Sequence, residues 1–266
     1  RRWAELASKS GKDPPPITGN RQALLNLPLE AYKKYEKQVE DGFLKAAKFL
    51  HRLNVYRIKD LPYQSQIVPL AVILADIGAR SENDTNRSRL VQWYWSGVFG
   101  ELYGSAVETR IARDFAEVPD WLAGGGEPST ITEANFSDER LMRMRMRVSA
   151  AYKGVNVLLM NEGAVDFRSG QRFDHTVFFG ENVDIHHIFP KAWCQQHGIP
   201  AGRYDSIVNK TPLSARTNRV IGGRAPSEYL GRLANSAGIA ADVLDAHLAT
   251  HRRFNTGQEL SWTGSK

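Results

Sequence analysis

The sequence predicts a mainly α-helical protein with a small α+β unit, in which a helical domain precedes a compact strand–strand–helix fold. Two observations predict this architecture. Apolar residues recur at three- and four-residue steps over residues 29–53, as in an amphipathic helix. Between Val183 and Gly223 the pattern changes to short β-rich pieces, broken by Pro190 and followed by a capped helix. The composition, 42% hydrophobic and 24% charged residues, is that of an ordinary globular protein.

Local signals divide the chain into three parts. Residues 1–20 are rich in proline and small polar residues and are predicted to be a linker or arm. Residues 21–165 are predicted to be a helical domain, and residues 166–266 a second domain that ends in helices over 226–233 and 240–254. In the last of these, His247 and His251 are four residues apart, and without a third ligand they are expected to be surface histidines.

The helical domain is predicted from four further patterns. Helices are expected over 66–78, 90–102 and 108–115, with a polar break at 83–87 and a loop over 118–127. Residues 90–102 are unusually aromatic, and aromatic side chains can stack on bases, but the helical spacing favours a core. A short helix is expected near Ser137, and if the next residues are helical too, Arg140, Arg143 and Arg147 share a face that is either solvated or tracks phosphates.

The segment over 183–223 is predicted to form a strand, a long loop, a second strand and a helix. Its first piece, V-D-I-H-H-I-F-P, has β character and ends at Pro190. A second apolar piece, 207–213, can pair with it as an antiparallel strand. Ser214 is a good N-cap for a helix over 215–221, and Gly222 closes that helix.

Residues suited to hydrolysis are crowded into this segment. Asp184, His186 and His187 share the end of the first strand, where a proline breaks the ladder and relaxes the alternation of side chains. Asn209 and Asn218 follow. One imidazole with carboxylate or amide oxygens suits a divalent ion, and a neighbouring imidazole can take a proton from water near neutral pH. Each residue alone is more often structural, but the joint pattern favours a site.

The same stretch resembles the HNH (ββα-metal) endonuclease motif of GmrSD-type restriction enzymes, in their C-terminal nuclease domain. Phosphorothioate-dependent restriction effectors are close to that group. The shared signature is H-H-I-F-P, an Asn with a Leu shortly after it, T-N-R, and a-P-s-e-Y-L. Here it reads H-H-I-F-P from His186, Asn209 with Leu213, T-N-R around Asn218, and A-P-S-E-Y-L from Ala225.

The resemblance implies a role for each candidate residue. His187 resembles the general base that activates water. His186 resembles the metal ligand of the first strand, and Asn218 that of the helix. Asn209 resembles the central Asn, which pins the loop between the strands and holds the base by backbone contacts. Asp184 stands where the family often has an acidic residue that binds or supports the metal. The implied cofactor is a single Mg²⁺ or Mn²⁺.

The charge of the chain fits a polyanionic partner, since the formal net charge is +6 and the pI about 9.4. The cations expected to contact the backbone of double-stranded DNA are Lys191, Lys210, Arg216, Arg219 and Arg224. Such contacts carry no sequence information. In the resembling proteins, discrimination and nucleotide use belong to an N-terminal domain with a D-G-Q-Q-R motif, which is absent here. The chain begins with Arg1 and not Met, so we expect it to be a piece of a longer protein that carries a sensor domain.

The predicted function is therefore a metal-dependent DNA endonuclease, the effector part of a bacterial restriction or anti-phage defence protein. Nicking is the expected product, because one such centre cuts one strand and a double-strand break needs a second protomer, as in a homo-oligomer. Cys194 is the only cysteine, which indicates a reducing compartment and a cytoplasmic protein. The sequence shows neither a signal peptide nor an apolar run of 18 residues, so no association with a membrane is expected. The alternatives are a non-catalytic DNA-binding module of a defence complex, with a structural ββα-metal unit, and a less favoured indiscriminate toxin.

Overall fold

The computed structural model describes residues 21–238, 240 and 242. The predicted arm over 1–20, nearly all of the predicted helix over 240–254 with His247 and His251, and the polar tail lie outside the described residues. Within that part, the protein is mainly helical and has one two-stranded antiparallel sheet. This confirms the predicted mainly α architecture with a small α+β unit. No helix in the described part has both the length and the apolar character to cross a lipid bilayer.

The elements follow one another with short connections. The helices of the first half are α1 (Arg21–Leu25), α2 (Leu29–Arg52), α3 (Ile67–Ile77), α4 (Asp84–Phe99), α5 (Val107–Leu122) and α6 (Ser129–Thr132). Those of the second half are α7 (Glu139–Arg143), α8 (Ala150–Asn161), α9 (His175–Gly180), α10 (Lys191–Gln196), α11 (Ala201–Tyr204), α12 (Ala215–Ile221) and α13 (Pro226–Ala237). The strands are β1 (Asp184–His187) and β2 (Lys210–Leu213). Short 3-10 helices cover Ile58–Asp60, Gln64–Gln66, Gly78–Glu82 and Ile207–Asn209.

The chain divides into two compact units. The described part of the first contains residues 21–50 and Tyr63–Asn135, and that of the second contains His51–Pro62 and the residues from Phe136 onward. The second unit thus takes up a short excursion of the chain just after α2. The boundary predicted after residue 165 concerns where a nuclease-like domain begins, and it stays a prediction.

The first unit is a helical bundle with an aromatic core. Trp93 and Tyr94 of α4 are 0% and 1% exposed, which confirms that the aromatic run belongs mainly to the core. Helices α2 and α3 meet closely at Gly42, where a Cβ atom would stand 2.4 Å from the carbonyl oxygen of Ala71. Only glycine fits there. The fully buried Asp114 accepts hydrogen bonds from the hydroxyls of Tyr103 and Thr130.

Two loop predictions in this unit are wrong. The polar residues over 83–87 begin α4 instead of breaking the chain, because the Asn83 side chain accepts hydrogen bonds from the backbone N–H groups of Thr85 (2.9 Å) and Asn86 (3.3 Å). The loop predicted from residue 118 starts later, since α5 continues to Leu122. Val118 and Trp121 are buried on that helix, and their burial stabilises its last turn.

The second unit contains the predicted strand–strand–helix order. Strand β1 pairs antiparallel with β2, so that His186 lies opposite Thr211 and His187 opposite Lys210. Helix α12 covers the predicted residues 215–221. The Ser214 side chain accepts a hydrogen bond from the Thr217 N–H at 3.1 Å, and Gly222 ends the helix at φ 56°. The predicted long loop between the strands holds α10 and α11.

One apolar cluster holds the strands, α12 and α13 together. Its buried members are Phe167, Ile188, Leu213, Ile221, Tyr229 and Leu233. The Tyr229 hydroxyl also donates a hydrogen bond of 2.8 Å to the carbonyl oxygen of Ile188, the residue after β1. The end of β1 is therefore fixed by packing against this cluster and by a buried hydrogen bond to Tyr229.

Candidate active site

The His187 ring contacts a carboxylate from the loop between the strands. It is half-buried at the end of β1, and its Nε2 lies 2.9 Å from Oδ1 of Asp205. Burial lowers the pKa of His187, and the neighbouring charges of Lys210 and Arg147 lower it further, while the Asp205 contact raises it. The net direction is downward, so the ring is neutral at pH 7. A neutral ring that donates Nε2–H to a carboxylate keeps a lone pair on Nδ1.

Asp205 is the partner of two groups at once. The Nζ of Lys210 lies 3.6 Å from the same Oδ1 atom that faces His187. Although partial burial raises it, the hydrogen bond from His187 and the charge of Lys210 hold the pKa of Asp205 below its usual value. The carboxylate is therefore ionised at neutral pH and can stabilise positive charge on the imidazole.

Lys210 differs from the other predicted DNA contacts because its side chain is buried, with only 6% exposed. Its ammonium lies 5.9 Å from the centre of the Tyr152 ring and faces Asp205. Burial lowers its pKa. Lys210 thus shapes the charge around His187, while the other four predicted cations, Lys191, Arg216, Arg219 and Arg224, are exposed.

His186 presents an unsatisfied nitrogen. Its Nε2 is buried and has no hydrogen-bond partner among the described residues. Burial lowers its pKa, and the charge of Asp184 offsets this in part. A buried nitrogen without a partner is costly, so this atom is the point where the site is incomplete within the described chain. Asp184 and His186 are two residues apart on β1, so their side chains lie on the same face of the strand.

Asp184 is paired with Arg147, for which the sequence pattern predicts a place on a helix. Arg147 donates a hydrogen bond to the carbonyl oxygen of Ile185, and its guanidinium lies 3.5 Å from the Asp184 carboxylate. The predicted helical stripe of Arg140, Arg143 and Arg147 is therefore wrong, because α7 ends at Arg143. Arg147 instead contacts β1 and adds positive charge beside both histidines.

Asn209 ties the loop between the strands to the end of β1. Its Oδ1 accepts a hydrogen bond from the Phe189 N–H at 2.8 Å, and its Nδ2 donates to the carbonyl oxygens of Phe189 (3.0 Å) and Tyr204 (2.9 Å). The residue is 9% exposed. These bonds fix the backbone at Phe189, two residues after His187, and at Tyr204, one residue before Asp205.

Asn218 lies half-buried on α12, and its side chain forms no hydrogen bond with either histidine in the described structure. The start of its helix is held by Asp166, which is 1% exposed. Asp166 accepts hydrogen bonds from the Ser214 N–H (2.9 Å) and the Thr217 hydroxyl (2.6 Å). It thereby fixes α12 against the turn before α9, and with it the position of Asn218.

Two contributors were missed from the sequence, Asp205 and Asp166. A signal for Asp205 existed, because it is the only acidic residue between positions 185 and 227, in a stretch otherwise rich in cations. For Asp166 the local pattern indicates only a turn, since its nearby partners are Arg168 and Ser169. The partners that link it to α12 lie 48 and 51 residues away.

A cationic cleft lies along α12 and α13. It is lined by Arg219, Val220, Arg224, Arg232 and Asn235. Glu228 pairs with Arg224 at 3.3 Å and with Arg232 at 3.1 Å. The Glu228 carboxylate thus lies beside two of the three guanidinium groups that line the cleft, and a cleft lined by arginines favours an anionic ligand.

Among the described residues, no three or more His, Cys, Asp or Glu side chains are grouped so as to hold a metal ion. The predicted set of His186, Asp184 and Asn218 contains only two such side chains, and its third member is an amide. The described chain therefore offers a partial set of ligands, with His186 Nε2 as its unsatisfied nitrogen. Water commonly fills the remaining positions around magnesium.

Comparison with known proteins finds one similar sequence. The uncharacterized protein MJ0686 of Methanocaldococcus jannaschii is 28% identical over an alignment of 190 residues, and the match covers 64% of this chain and 32% of that protein. The match thus spans about a third of the relative's length. No protein-family model matches the chain, and no solved structure matches it. The chain is similar to MJ0686, and this likeness assigns it no activity.

Proposed function

We propose that this chain is a metal-dependent DNA endonuclease of the HNH (ββα-metal) type, which nicks DNA as the effector part of a bacterial restriction or anti-phage defence protein. The observation that carries the proposal is the contact of His187 with Asp205, next to a second histidine whose buried Nε2 has no partner in the described chain. The motif residues that resemble the HNH family supply both histidines.

His187 is the proposed general base. Its lowered pKa keeps the ring neutral at pH 7, and Nε2–H donates to Asp205, so Nδ1 is the atom that takes a proton from water. The Asp205 carboxylate then stabilises the imidazolium that forms and holds the ring in one tautomer. General base catalysis of this kind contributes roughly 10² to 10⁴ in rate.

A divalent ion, Mg²⁺ or Mn²⁺, fits the remaining residues. The buried, unpartnered Nε2 of His186 supports this fit, because a lone pair without a donor is available to a cation. The amide oxygen of Asn218 and the carboxylate of Asp184 are the proposed oxygen ligands, both of a type that these ions prefer. When bound, such an ion stabilises negative charge that develops on the phosphate oxygens.

The exposed cations are the proposed contacts to the DNA backbone. Lys191 and Arg216 lie near the ends of the loop and of α12, and the cationic cleft adds Arg219 and Arg224. Phosphate contacts position a duplex without reading its sequence. Discrimination between modified and unmodified DNA is accordingly proposed to reside in another part of a longer protein.

The proposal is tested by the conversion of supercoiled plasmid to open circle. We expect nicking with Mg²⁺ or Mn²⁺, none with EDTA, and a loss of about 10²-fold or more in His187→Ala. His197→Ala is the matched control, because His197 is an exposed histidine of the same unit whose ring stacks on Trp193 and bonds to its carbonyl oxygen. The assay is run on phosphorothioate-modified and unmodified plasmid in parallel.

Two outcomes would contradict the proposal. Full nicking by His187→Ala would remove this residue as the base. DNA binding by the wild-type chain without metal-dependent nicking on either plasmid would favour a non-catalytic DNA-binding module.

A further inference from the structure

A second surface of the same compact unit is built almost wholly of rings. The side chains of His51, Tyr56, His175, Phe178 and Phe179 contact one another, with ring centres 4.9–6.2 Å apart. They come from the last turn of α2, the segment after it, and α9. We call this set the aromatic surface.

The rings of the aromatic surface meet at an angle and not face to face. The interplanar angle is 67° between His51 and Tyr56, 81° between Tyr56 and His175, and 62° between His175 and Phe179. An edge-to-face contact covers a face of only one of the two rings, whereas a parallel stack covers a face of both. Rings packed at an angle therefore leave more face area open to another π system.

Three of the five rings are exposed to solvent. Phe179 is 46% exposed, and His51 and His175 are exposed as well, while Phe178 beneath them is buried. A contiguous exposed patch of large rings is uncommon on a soluble surface unless it binds something. The buried Phe178 gives the patch a fixed base.

The surroundings of the surface favour a base over a phosphate. The guanidinium of Arg57 lies 4.5 Å from the centre of the Phe178 ring, but Asp60 neutralises it through hydrogen bonds of 2.5 and 2.9 Å. The edge carries amides, since Asn54 donates to Asn161 at 2.6 Å and accepts from the Tyr56 hydroxyl at 2.6 Å. Burial and the nearby carboxylate of Asp174 raise the pKa of Tyr56, and a carboxylate at the edge disfavours a phosphate. The surface thus offers ring faces, hydrogen-bonding groups and a paired Arg57.

We propose that the aromatic surface stacks an unpaired nucleobase of a DNA strand. This rests on the proposed function in one respect, that DNA is the substrate, and it adds that the preferred substrate contains unpaired bases. Stacking on exposed rings is the common way to hold unpaired bases, and it tolerates any sequence. The net charge of +6 supplies the general attraction to the backbone.

The surface is also joined to the candidate active site through the chain. Only residues 181–183 separate α9 from β1, and the Val183 N–H donates a hydrogen bond of 3.2 Å to the carbonyl oxygen of Phe178. A base stacked on α9 is thereby held by an element rigidly attached to the strand that carries His186 and His187.

The test is the binding of a single-stranded oligonucleotide that contains 2-aminopurine, measured by fluorescence in EDTA so that cleavage is absent. We expect quenching on binding, and affinity about tenfold weaker in Phe179→Ala and in His175→Ala. Phe179→Trp, which keeps a ring, retains the affinity. Phe136→Ala is the matched control, because Phe136 is another exposed phenylalanine of the same unit, at 38%, and it leaves binding unchanged.

Several results would overturn the proposal. These are equal quenching with a fully paired duplex, no difference between Phe179→Ala and Phe136→Ala, or a change of oligomeric state in Phe179→Ala without a change in DNA binding. The last result would assign the surface to contact between copies of the chain. Failure of plasmid nicking does not affect this readout, so the fate of the proposed nuclease activity is decided separately.

Discussion

The carboxylate of Asp205 lies 2.9 Å from Nε2 of His187, across eighteen residues of chain, and shares that oxygen with the buried ammonium of Lys210. This relationship orients the imidazole and gives it a stable counter-charge. A histidine so held differs from a surface histidine in both tautomer and pKa.

Asp205→Asn is expected to reduce nicking by about 10²-fold, because the amide cannot stabilise the imidazolium. Burial already lowers the pKa of His187 below 6.5, and the Asp205 contact opposes that shift. Loss of the Asp205 contact therefore lowers the pKa of His187 further, and the acid limb of the pH–rate profile moves to lower pH. A bound cation at His186 lowers the pKa in wild type and variant alike, so the direction of the change is the same.

The measurement is the nicking rate from pH 5 to 9 for wild type and variant. Asp138→Asn serves as the control, since Asp138 is exposed and its side chain does not cap α7. An unchanged acid limb with a lower plateau would mean that Asp205 acts only on the fold.

Two asparagines of the motif should separate stability from activity. Asn209→Ala leaves the N–H of Phe189 and the carbonyl of Tyr204 without partners in a buried place, and should cost about 3 kcal/mol of unfolding free energy. Asn218→Ala should cost little, because its side chain forms no hydrogen bond in the described structure, but it should abolish metal-dependent nicking. Urea denaturation and the plasmid assay on both variants give the comparison. A large loss of stability in Asn218→Ala would show that this residue is a structural one.

Asp166 is expected to make the second unit sensitive to acid. Burial raises its pKa, but the hydrogen bonds from Thr217 and Ser214 outweigh that effect and hold the pKa below 3.8. A carboxylate with a lowered folded pKa contributes stability that is present above about pH 5 and is lost as the pH falls through 3.8 towards the folded value. Asp166→Asn should lower the free energy of unfolding by about 3 kcal/mol at neutral pH. The stability of this variant should also depend less on pH in the acid range.

Hydrogen exchange of the amides in α12, followed from pH 7 to pH 3, measures this effect where it arises. Asp174→Asn is the control, because Asp174 caps α9 with one hydrogen bond to the Val177 N–H and asparagine caps a helix about as well. Equal exchange of α12 in both variants would contradict the role given to Asp166.

The order of elements in the second unit was predictable because each element is bounded by a local signal. Ser214 caps α12, Gly222 ends it with a positive φ, and proline follows β1. The lengths of the two strands were not predictable, because they depend on partners that are distant in the sequence. The N–H of Phe189 bonds to the Asn209 side chain and not to a strand, so the regular ladder stops earlier than the apolar pattern indicates.

The contacts that shape the candidate site were outside the reach of sequence patterns. The spacing of Arg147 predicts a helical stripe, but its position follows from a contact with Ile185, 38 residues away. Lys210 was grouped with the exposed cations because charge alone does not reveal burial. Its pairing with Asp205 appears only when the loop folds back on β1.

The difference between Lys210 and the exposed cations leads to a prediction about salt. Each exposed cation that contacts a DNA phosphate releases counterions. Its removal therefore makes the negative slope of log K, the DNA association constant, against log salt shallower by about 0.9. Arg216→Ala and Arg219→Ala should each show this loss, since both side chains are exposed on α12. Lys210→Met should leave the slope unchanged, because its ammonium is buried against Asp205 and Tyr152, yet it should alter the pH profile of nicking by removing a charge beside His187. Fluorescence anisotropy with a short duplex at 50–200 mM salt, in EDTA, gives the slopes. A reduced slope in Lys210→Met would mean that this lysine reaches the DNA backbone.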